Sequence, residues 1–108
     1  MEPALDTYRH LVAEQPACEA RFFAQALAEY RAGDESAARK LSASCLRLAL
    51  KYAEEQAANG SGSVPIFDLI QEANAGLMEA ITTFPGEEMQ EFLRYAHERM
   101  QQRLAVLI

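Results

Sequence analysis

The stretch from Ile66 to Phe84, IFDLIQEANAGLMEAITTF, constrains the fold more than any other part of the chain. Its apolar residues recur at steps of three and four, which places them on one side of an α-helix. A helix with such a stripe has to bury it against other elements, so the stretch predicts a helix at the centre of a packed core. The stripe consists of Ile66, Leu69, Ile70, Ala73, Leu77, Ala80, Ile81 and Phe84.

The opposite side of this predicted helix is polar, with acidic and amide side chains and one thioether. On composition alone, a helix face of this kind is most often solvated surface. A functional meaning for it therefore needs a more specific signal than periodicity. The face consists of Asp68, Gln71, Glu72, Ala75, Met78 and Glu79, with Asn74 at its edge.

The helical period recurs through most of the remaining chain. Gly33 can end one helix, and the carboxylate of Asp34 can cap the next. Pro65 suits the first turn of a helix, and residues 59–64, NGSGSV, predict a mobile polar loop. The predicted fold is all-α, a compact bundle of four to five helices. The predicted helices cover residues 4–14, 17–32, 35–58, 66–84 and 87–107.

Charge and length narrow the classes of function. A chain of 108 residues can bury one core, and its formal net charge of -6 opposes unaided binding to a phosphate backbone. No apolar run approaches the roughly 18 residues of a membrane span, and the N-terminus lacks the regions of a signal peptide. We therefore expect a cytoplasmic protein that does not bind membranes.

The sequence gives no indication of an enzyme, a cofactor or a metal site. Cys18 and Cys45 are 27 positions apart within helical patterns, so we expect reduced, part-buried residues of small apolar character. His10 and His97 have no companions at the spacing of a metal site. The sequence also has no Gly-rich phosphate loop and no nucleophile motif.

Two segments resemble one protein family. The string DLIQEANAGLM, Asp68 to Met78, resembles region 2.2 of the sigma-70 family of bacterial RNA polymerase sigma factors, whose pattern is DLIQEGN-x-GLM. Ala73 replaces a glycine of that pattern, and Ala75 replaces a small or branched apolar residue. Upstream, YRAGDESAARKLSASCLRLALKYA, residues 30–53, is similar to the segment that joins regions 1.2 and 2.1. The two segments stand in the order found in the family.

The resemblance implies a single sigma region 2-like domain over residues 1–108. Its parts are an accessory N-terminal helix (1–16), a region 1.2/2.1-like part (17–58), a region 2.2-like helix (65–84) and a region 2.3/2.4-like helix (87–107). In the family, the region 2.2 helix docks on the clamp helices, a coiled coil of the largest RNA polymerase subunit. The resemblance therefore implies a transcription initiation or regulation protein that binds the polymerase core. The matching positions are Asp68, Gln71, Glu72, Asn74 and Met78.

In the last predicted helix the resemblance is only partial. Phe92, Tyr95 and Ala96 match the family's F-x-x-YA step, but Glu98 and Arg99 stand where primary sigma factors carry a pair of Trp. Promoter opening by such domains requires cationic contacts to phosphates and aromatic rings that stack on unpaired bases. We therefore expect contact with promoter DNA to be weak or to occur only within a holoenzyme.

The residues of this last helix that could contact DNA lie in an acidic part of the chain. From residue 60 to the end, three arginines stand against seven carboxylates. The other interpretation of these arginines and of Gln102 is solvated helix surface with ion pairs. The possible DNA-contacting residues are Tyr95, Arg99, Gln102 and Arg103.

Two other functions remain open at this point. An acidic surface poor in aromatic residues also suits a sigma mimic, which binds an anti-sigma factor and thereby releases a genuine sigma factor. A third possibility is a small helical oligomerisation or structural protein with a fortuitous motif. Such a protein would associate through apolar residues such as Phe22, Phe23, Leu107 and Ile108.

Overall fold

The computed structural model describes residues 3–15, 18–60 and 64–107. The described residues form helices and no strands, which confirms the predicted all-α class. Residues 16 and 17, the central part of the predicted loop (61–63) and Ile108 lie outside the described residues. The helices are α1 (Pro3–Glu14), α2 (Ala20–Arg31), α3 (Glu35–Ser44), α4 (Leu46–Ala58), α5 (Ile66–Thr83) and α6 (Met89–Leu107).

The long helix predicted over residues 35–58 is divided at Cys45, so the described chain has six helices where the sequence predicted four to five. The hydroxyl of Ser44 donates to the carbonyl oxygen of Leu41 at 2.8 Å. The Cys45 N–H is shared between the carbonyl oxygens of Leu41 and Ser42, at 3.2 and 3.1 Å. Serine hydroxyls that bond to nearby carbonyls compete with the helical ladder. Cys45 takes φ -106° and ψ 5°, and α4 starts after it.

The N-terminal end of α3 is built as the sequence predicted. Gly33 has φ 109°, a left-handed conformation that glycine adopts without steric cost. Asp34 then accepts hydrogen bonds from the Ser36 N–H at 3.0 Å and from the Ser36 hydroxyl at 2.6 Å. These bonds satisfy donors that the first turn of a helix leaves free. The turn and the cap together fix the direction in which α3 leaves α2.

Helices α5 and α6 form a closely packed pair at the centre of the core. Leu69 and Leu77 of α5 and Met100 and Leu104 of α6 are fully buried. Gly76 lies at a close approach of the two helices, since a Cβ built on it would stand 2.9 Å from the Cα of Met100. The apolar stripe of α5 therefore faces α6 and the core, as its periodicity predicts. Its polar side remains available for other contacts.

The connection between α5 and α6 is held by an aromatic cluster and an arginine. The ring of Phe84 meets those of Phe23 and Phe92 at centroid distances of 6.4 and 5.4 Å. Arg31, at the end of α2, donates to the carbonyl oxygens of Phe84 and Gly86, each at 2.7 Å. Hydrogen bonds from a charged donor are stronger than neutral ones. The end of α2 thereby fixes the turn that sets α6 against α5.

The short helix α1 is fastened to α4. Val12 is buried in the core, and Arg9 forms an ion pair with Glu54 of α4. Arg47 of α4 donates to the carbonyl oxygens of Ala13 and Gln15, at 2.6 and 3.2 Å. These last bonds satisfy carbonyl groups at the C-terminal end of α1. They hold α1 against α4, in a position where α1 also contacts α5.

Candidate partner-binding face on α5

The residues that the resemblance assigns to partner binding lie on the polar side of α5. Asp68 and Gln71 are exposed, whereas Glu72, Asn74 and Met78 are half-buried. The arrangement follows from the sequence, because the apolar stripe occupies the side of α5 that faces the core. The structure therefore brings all five residues onto one helix but exposes only two of them freely. The half-buried ones are bounded by α1 on one side and by α6 on the other.

Helix α1 borders this face through Tyr8. The Asn74 amide Nδ2 donates to the Tyr8 hydroxyl at 3.2 Å. The Tyr8 ring stands edge-on to the ring of Phe67, with centroids 6.2 Å apart and planes at 83°. The other amide atom of Asn74, Oδ1, is buried and has no hydrogen-bond partner among the described residues. Asn74 is therefore directed towards α1 and the interior, and little of it is offered to a partner.

Helix α6 borders the opposite side through Arg103. Its Nε donates to a carboxylate oxygen of Glu79 at 3.0 Å, and its NH1 group donates to Glu72 at 3.3 Å. The hydrogen bond that Arg103 donates to Glu79, with the negative charges of Glu79 and Glu72, raises the pKa of Arg103 above its ordinary value. Since all three side chains are partly exposed, solvent screens the ion pairs and their contribution to stability is small. Their main effect is to occupy one oxygen of Glu72.

The four possible DNA-contacting residues share one side of α6, and all four make contacts within the chain. The Tyr95 hydroxyl lies 2.7 Å from the Thr83 hydroxyl, and its ring contacts that of Phe84 with centroids 5.5 Å apart. The Arg99 guanidinium lies over the Tyr95 ring, 4.8 Å from its centroid. Arg103 is directed towards the carboxylates of α5. These contacts hold the Tyr95 ring and the guanidinium groups of Arg99 and Arg103 against neighbouring side chains of the same chain.

Gln102 is the most open member of this second set. It is exposed, and its Oε1 accepts a hydrogen bond of 3.4 Å from Arg99. A bond of that length between exposed groups is weak. The side chain can therefore turn to another partner at little cost. Its neighbours, in contrast, would have to leave the contacts that they already make.

Phe67 is a feature of the α5 face that the sequence reasoning did not select. Its side chain is 37% exposed and lies beside Asp68 at the start of the helix. The sequence could have indicated it, because Phe67 lies outside the apolar stripe of the helix. An aromatic residue away from the buried side of an amphipathic helix has to contact solvent or another surface. The exposed part of the face is thus acidic, amide and aromatic in character.

The described residues give no support for a metal site or for a membrane-spanning helix. No cluster of three His, Cys, Asp or Glu residues is placed there to hold a metal ion. None of the helices in residues 3–15, 18–60 and 64–107 combines the length and the apolar character needed to cross a bilayer. No protein-family model and no curated protein matches this chain.

Proposed function

We propose that this protein binds the core of RNA polymerase through the polar side of α5, as a sigma region 2-like domain acting in transcription initiation or regulation. The observation that carries the proposal is the string Asp68 to Met78, which combines the region 2.2 pattern with exposure of Asp68 and Gln71. The counterpart is a cationic coiled coil, the clamp helices of the largest subunit. The proposed site rests on the resemblance together with this exposure.

The chemistry of the exposed residues suits such a partner. The Asp68 carboxylate can accept paired hydrogen bonds from an arginine of the partner helix. The Gln71 amide can both donate and accept, which lets it adapt to either type of group. Phe67 and Met78 supply apolar surface beside these polar groups, and aromatic residues are enriched among those that dominate binding energy. A small patch of mixed character is sufficient for a transient interface.

We further propose that autonomous promoter melting is weak or absent. Tyr95, Arg99 and Arg103 already contact Thr83, Phe84, Glu72 and Glu79, or each other. Leaving those contacts would add to the electrostatic cost of bringing an acidic surface to DNA. Contact with promoter DNA then depends on a holoenzyme in which the polymerase supplies positive charge.

A sigma mimic that binds an anti-sigma factor is the second candidate. The engagement of Tyr95 and Arg103 within the chain favours it equally, because a mimic does not need to melt DNA. Oligomerisation through Phe22 and Phe23 has less support, since Phe23 is fully buried in the core of one chain. The two main candidates differ in the partner that they bind, a large polymerase or a small helical protein.

The test is binding of the purified chain to core RNA polymerase and to the isolated clamp helices. The double variant Asp68→Lys, Gln71→Ala changes the two exposed residues of the face. The matched control is Glu55→Lys, Gln25→Ala, which makes the same change in charge and the same loss of an amide at exposed positions of α4 and α2. We expect the first pair to weaken binding about tenfold or more, equivalent to roughly 1.4 kcal/mol, and the control to bind as the wild type.

Two results would contradict the proposal. One is a wild-type chain that does not bind polymerase at about 10 to 50 μM, a concentration at which a weak transient interface should be occupied. The other is equal loss of binding in the two double variants, which would point to net charge rather than to this face. A small partner captured in place of polymerase would favour the sigma mimic.

A further inference from the structure

The two cysteines, remote in sequence, line one cavity. Cys18 lies just before α2 and Cys45 lies at the junction of α3 and α4, and both are free thiols. The cavity measures about 280 Å³, and its wall also includes Arg47 and Lys51 of α4. Cys45 is buried, whereas Cys18 is half-buried and can be reached through the cavity. The site thus combines an accessible sulfur, a second sulfur behind it and two cations.

The surroundings of the two sulfurs make them chemically different. A hydrogen bond from the Cys45 thiol lowers the pKa of Cys18 to about 6. The same interaction, together with burial, raises the pKa of Cys45 above its ordinary value. The hydroxyl of Ser44, 3.8 Å from the Cys45 sulfur, also lowers the pKa of Cys18. This difference in pKa favours the thiolate at Cys18 and the thiol at Cys45, the pairing of a nucleophile with a resolving group.

A third sulfur lies near Cys18, and the two cysteines differ in how their backbones are held. The Sδ of Met89, at the start of α6, lies 4.0 Å from the Cys18 Sγ. Cys18 is outside any helix, whereas the backbone of Cys45 is hydrogen-bonded both to the end of α3 and to the start of α4. Forming a disulfide requires the two sulfurs to close to about 2.05 Å with a defined dihedral angle. Most of that adjustment would fall to Cys18, which precedes α2 and lies outside any helix.

We infer that Cys18 and Cys45 form a redox site at which a hydroperoxide converts the two thiols into an intramolecular disulfide. In the first step the Cys18 thiolate attacks a peroxide oxygen, the O–O bond breaks, and the departing oxide takes up a proton. Cys18 becomes a sulfenic acid, oxidised by two electrons, while the peroxide is reduced. In the second step the Cys45 sulfur attacks the Cys18 sulfur, the S–S bond forms, the S–O bond breaks, and water leaves with the Cys45 proton.

This site is independent of the proposed polymerase-binding face. Its residues lie just before α2, at the α3–α4 junction, on α4 and on α6, whereas that face lies on α5. Arg47 and Lys51 place positive charge on the wall of the same cavity. Arg47 is held in place by its bonds to the end of α1. The disulfide would connect the start of α2 with the α3–α4 junction.

The test treats the reduced 108-residue chain with hydrogen peroxide and follows its intact mass. We expect a monomer that has lost two hydrogen atoms, restored by dithiothreitol, and a peptide map that joins Cys18 to Cys45. The Cys45→Ala variant lacks the resolving thiol and should accumulate a sulfenic acid on Cys18 that dimedone traps. In Cys18→Ser, Cys45 should remain a thiol, which is the matched control.

A second measurement keeps the inference testable if a variant is poorly folded. Iodoacetamide should alkylate Cys18 of the wild-type chain well before Cys45. The rate of Cys18 alkylation should rise with pH, with its midpoint near pH 6. In urea, both should react alike, with midpoints near the ordinary value of about 8.5. The inference is overturned if peroxide yields only intermolecular dimers or oxidised Met89, or if Cys18 reacts no faster in the folded chain than in urea.

Discussion

The close approach of α5 and α6 at Gly76 gives the sharpest prediction about the fold. A Cβ at position 76 would stand 2.9 Å from the Met100 Cα, 3.1 Å from its N and 3.2 Å from the carbonyl carbon of Arg99. All three are backbone atoms, so no side-chain rotation can make room. Gly76→Ala therefore has to move one helix away from the other.

The magnitude follows from two opposing terms. Ordinary Cβ contacts lie at 3.4 to 4 Å, so the helices must separate by about 0.5 Å in a fully buried part of the core. Overpacking of this kind costs about 1 to 3 kcal/mol, and contact with fixed backbone favours the upper part of that range. Alanine regains about 0.8 to 1.0 kcal/mol through its higher helix propensity. The expected net loss is about 1 to 2 kcal/mol, or roughly 4 to 8 °C in Tm.

Thermal and urea denaturation followed by circular dichroism would measure this loss. The matched control is Ala75→Gly, one residue earlier on the partly exposed side of the same helix. If propensity alone governed α5, replacing glycine would stabilise the protein and introducing it would destabilise it, by about the same amount. We expect both substitutions to lower Tm, although Gly76→Ala raises the helix propensity of α5 and Ala75→Gly lowers it. A Tm that rises in Gly76→Ala would refute the tight helix contact.

Two further predictions concern the cap of α3 and the acidic border of α5. Asp34→Ala should lower Tm by a few degrees at pH 7, and Asp34→Asn by less, because asparagine still caps. The Ser36 bonds lower the folded-state pKa of Asp34, so their stabilisation is present above the unfolded pKa of about 3.9 and is lost as pH falls. The Tm difference between wild type and Asp34→Ala should thus narrow below about pH 4, and a constant difference down to pH 2 would contradict this. Arg103→Gln should change Tm by less than about 2 °C, since partly exposed ion pairs contribute little. The variant also frees the carboxylates of Glu72 and Glu79 from Arg103, so we expect it to bind polymerase core a few-fold more tightly. Weaker binding of the variant would contradict a role for Glu72 in the interface.

Periodicity in the sequence was sufficient to predict most of the helices. The stretches with a regular apolar stripe and clear end signals appear as α1, α2, α5 and α6, with bounds within a few residues of those expected. The Asp34 cap was also predictable, because the carboxylate bonds donors only two residues away. Local chemistry therefore determined both features. Each was readable without knowledge of the rest of the fold.

Features that depend on tertiary structure were not predictable in this way. The break at Cys45 was not predicted, because apolar residues continue at helical steps through it. The Ser44 hydroxyl that competes with the helical hydrogen bonds does not change the apolar periodicity. The bonds from Arg31 to the Phe84 and Gly86 carbonyls join positions more than fifty residues apart. The pairing of Cys18 with Cys45 likewise arises only when α2 and the α3–α4 junction meet.

The two borders of the α5 face determine how a partner could use it. A partner that contacts only Asp68, Gln71 and the exposed part of Phe67 meets a preformed surface and displaces nothing. A partner that also required Asn74 would have to remove Tyr8, losing one neutral hydrogen bond and one edge-on aromatic contact.

Those two contacts are worth about 0.5 to 1.5 kcal/mol each, so engaging Asn74 would cost roughly 1 to 3 kcal/mol. That is a reduction of about 5- to 150-fold in affinity, which new contacts would have to offset. On the α6 side the corresponding cost is smaller, because the pairs of Arg103 are screened by solvent and a cation on the partner can replace it directly. Docking is therefore favoured from the α6 side of the face, with Glu72 joining Asp68 and Gln71 before Asn74 does.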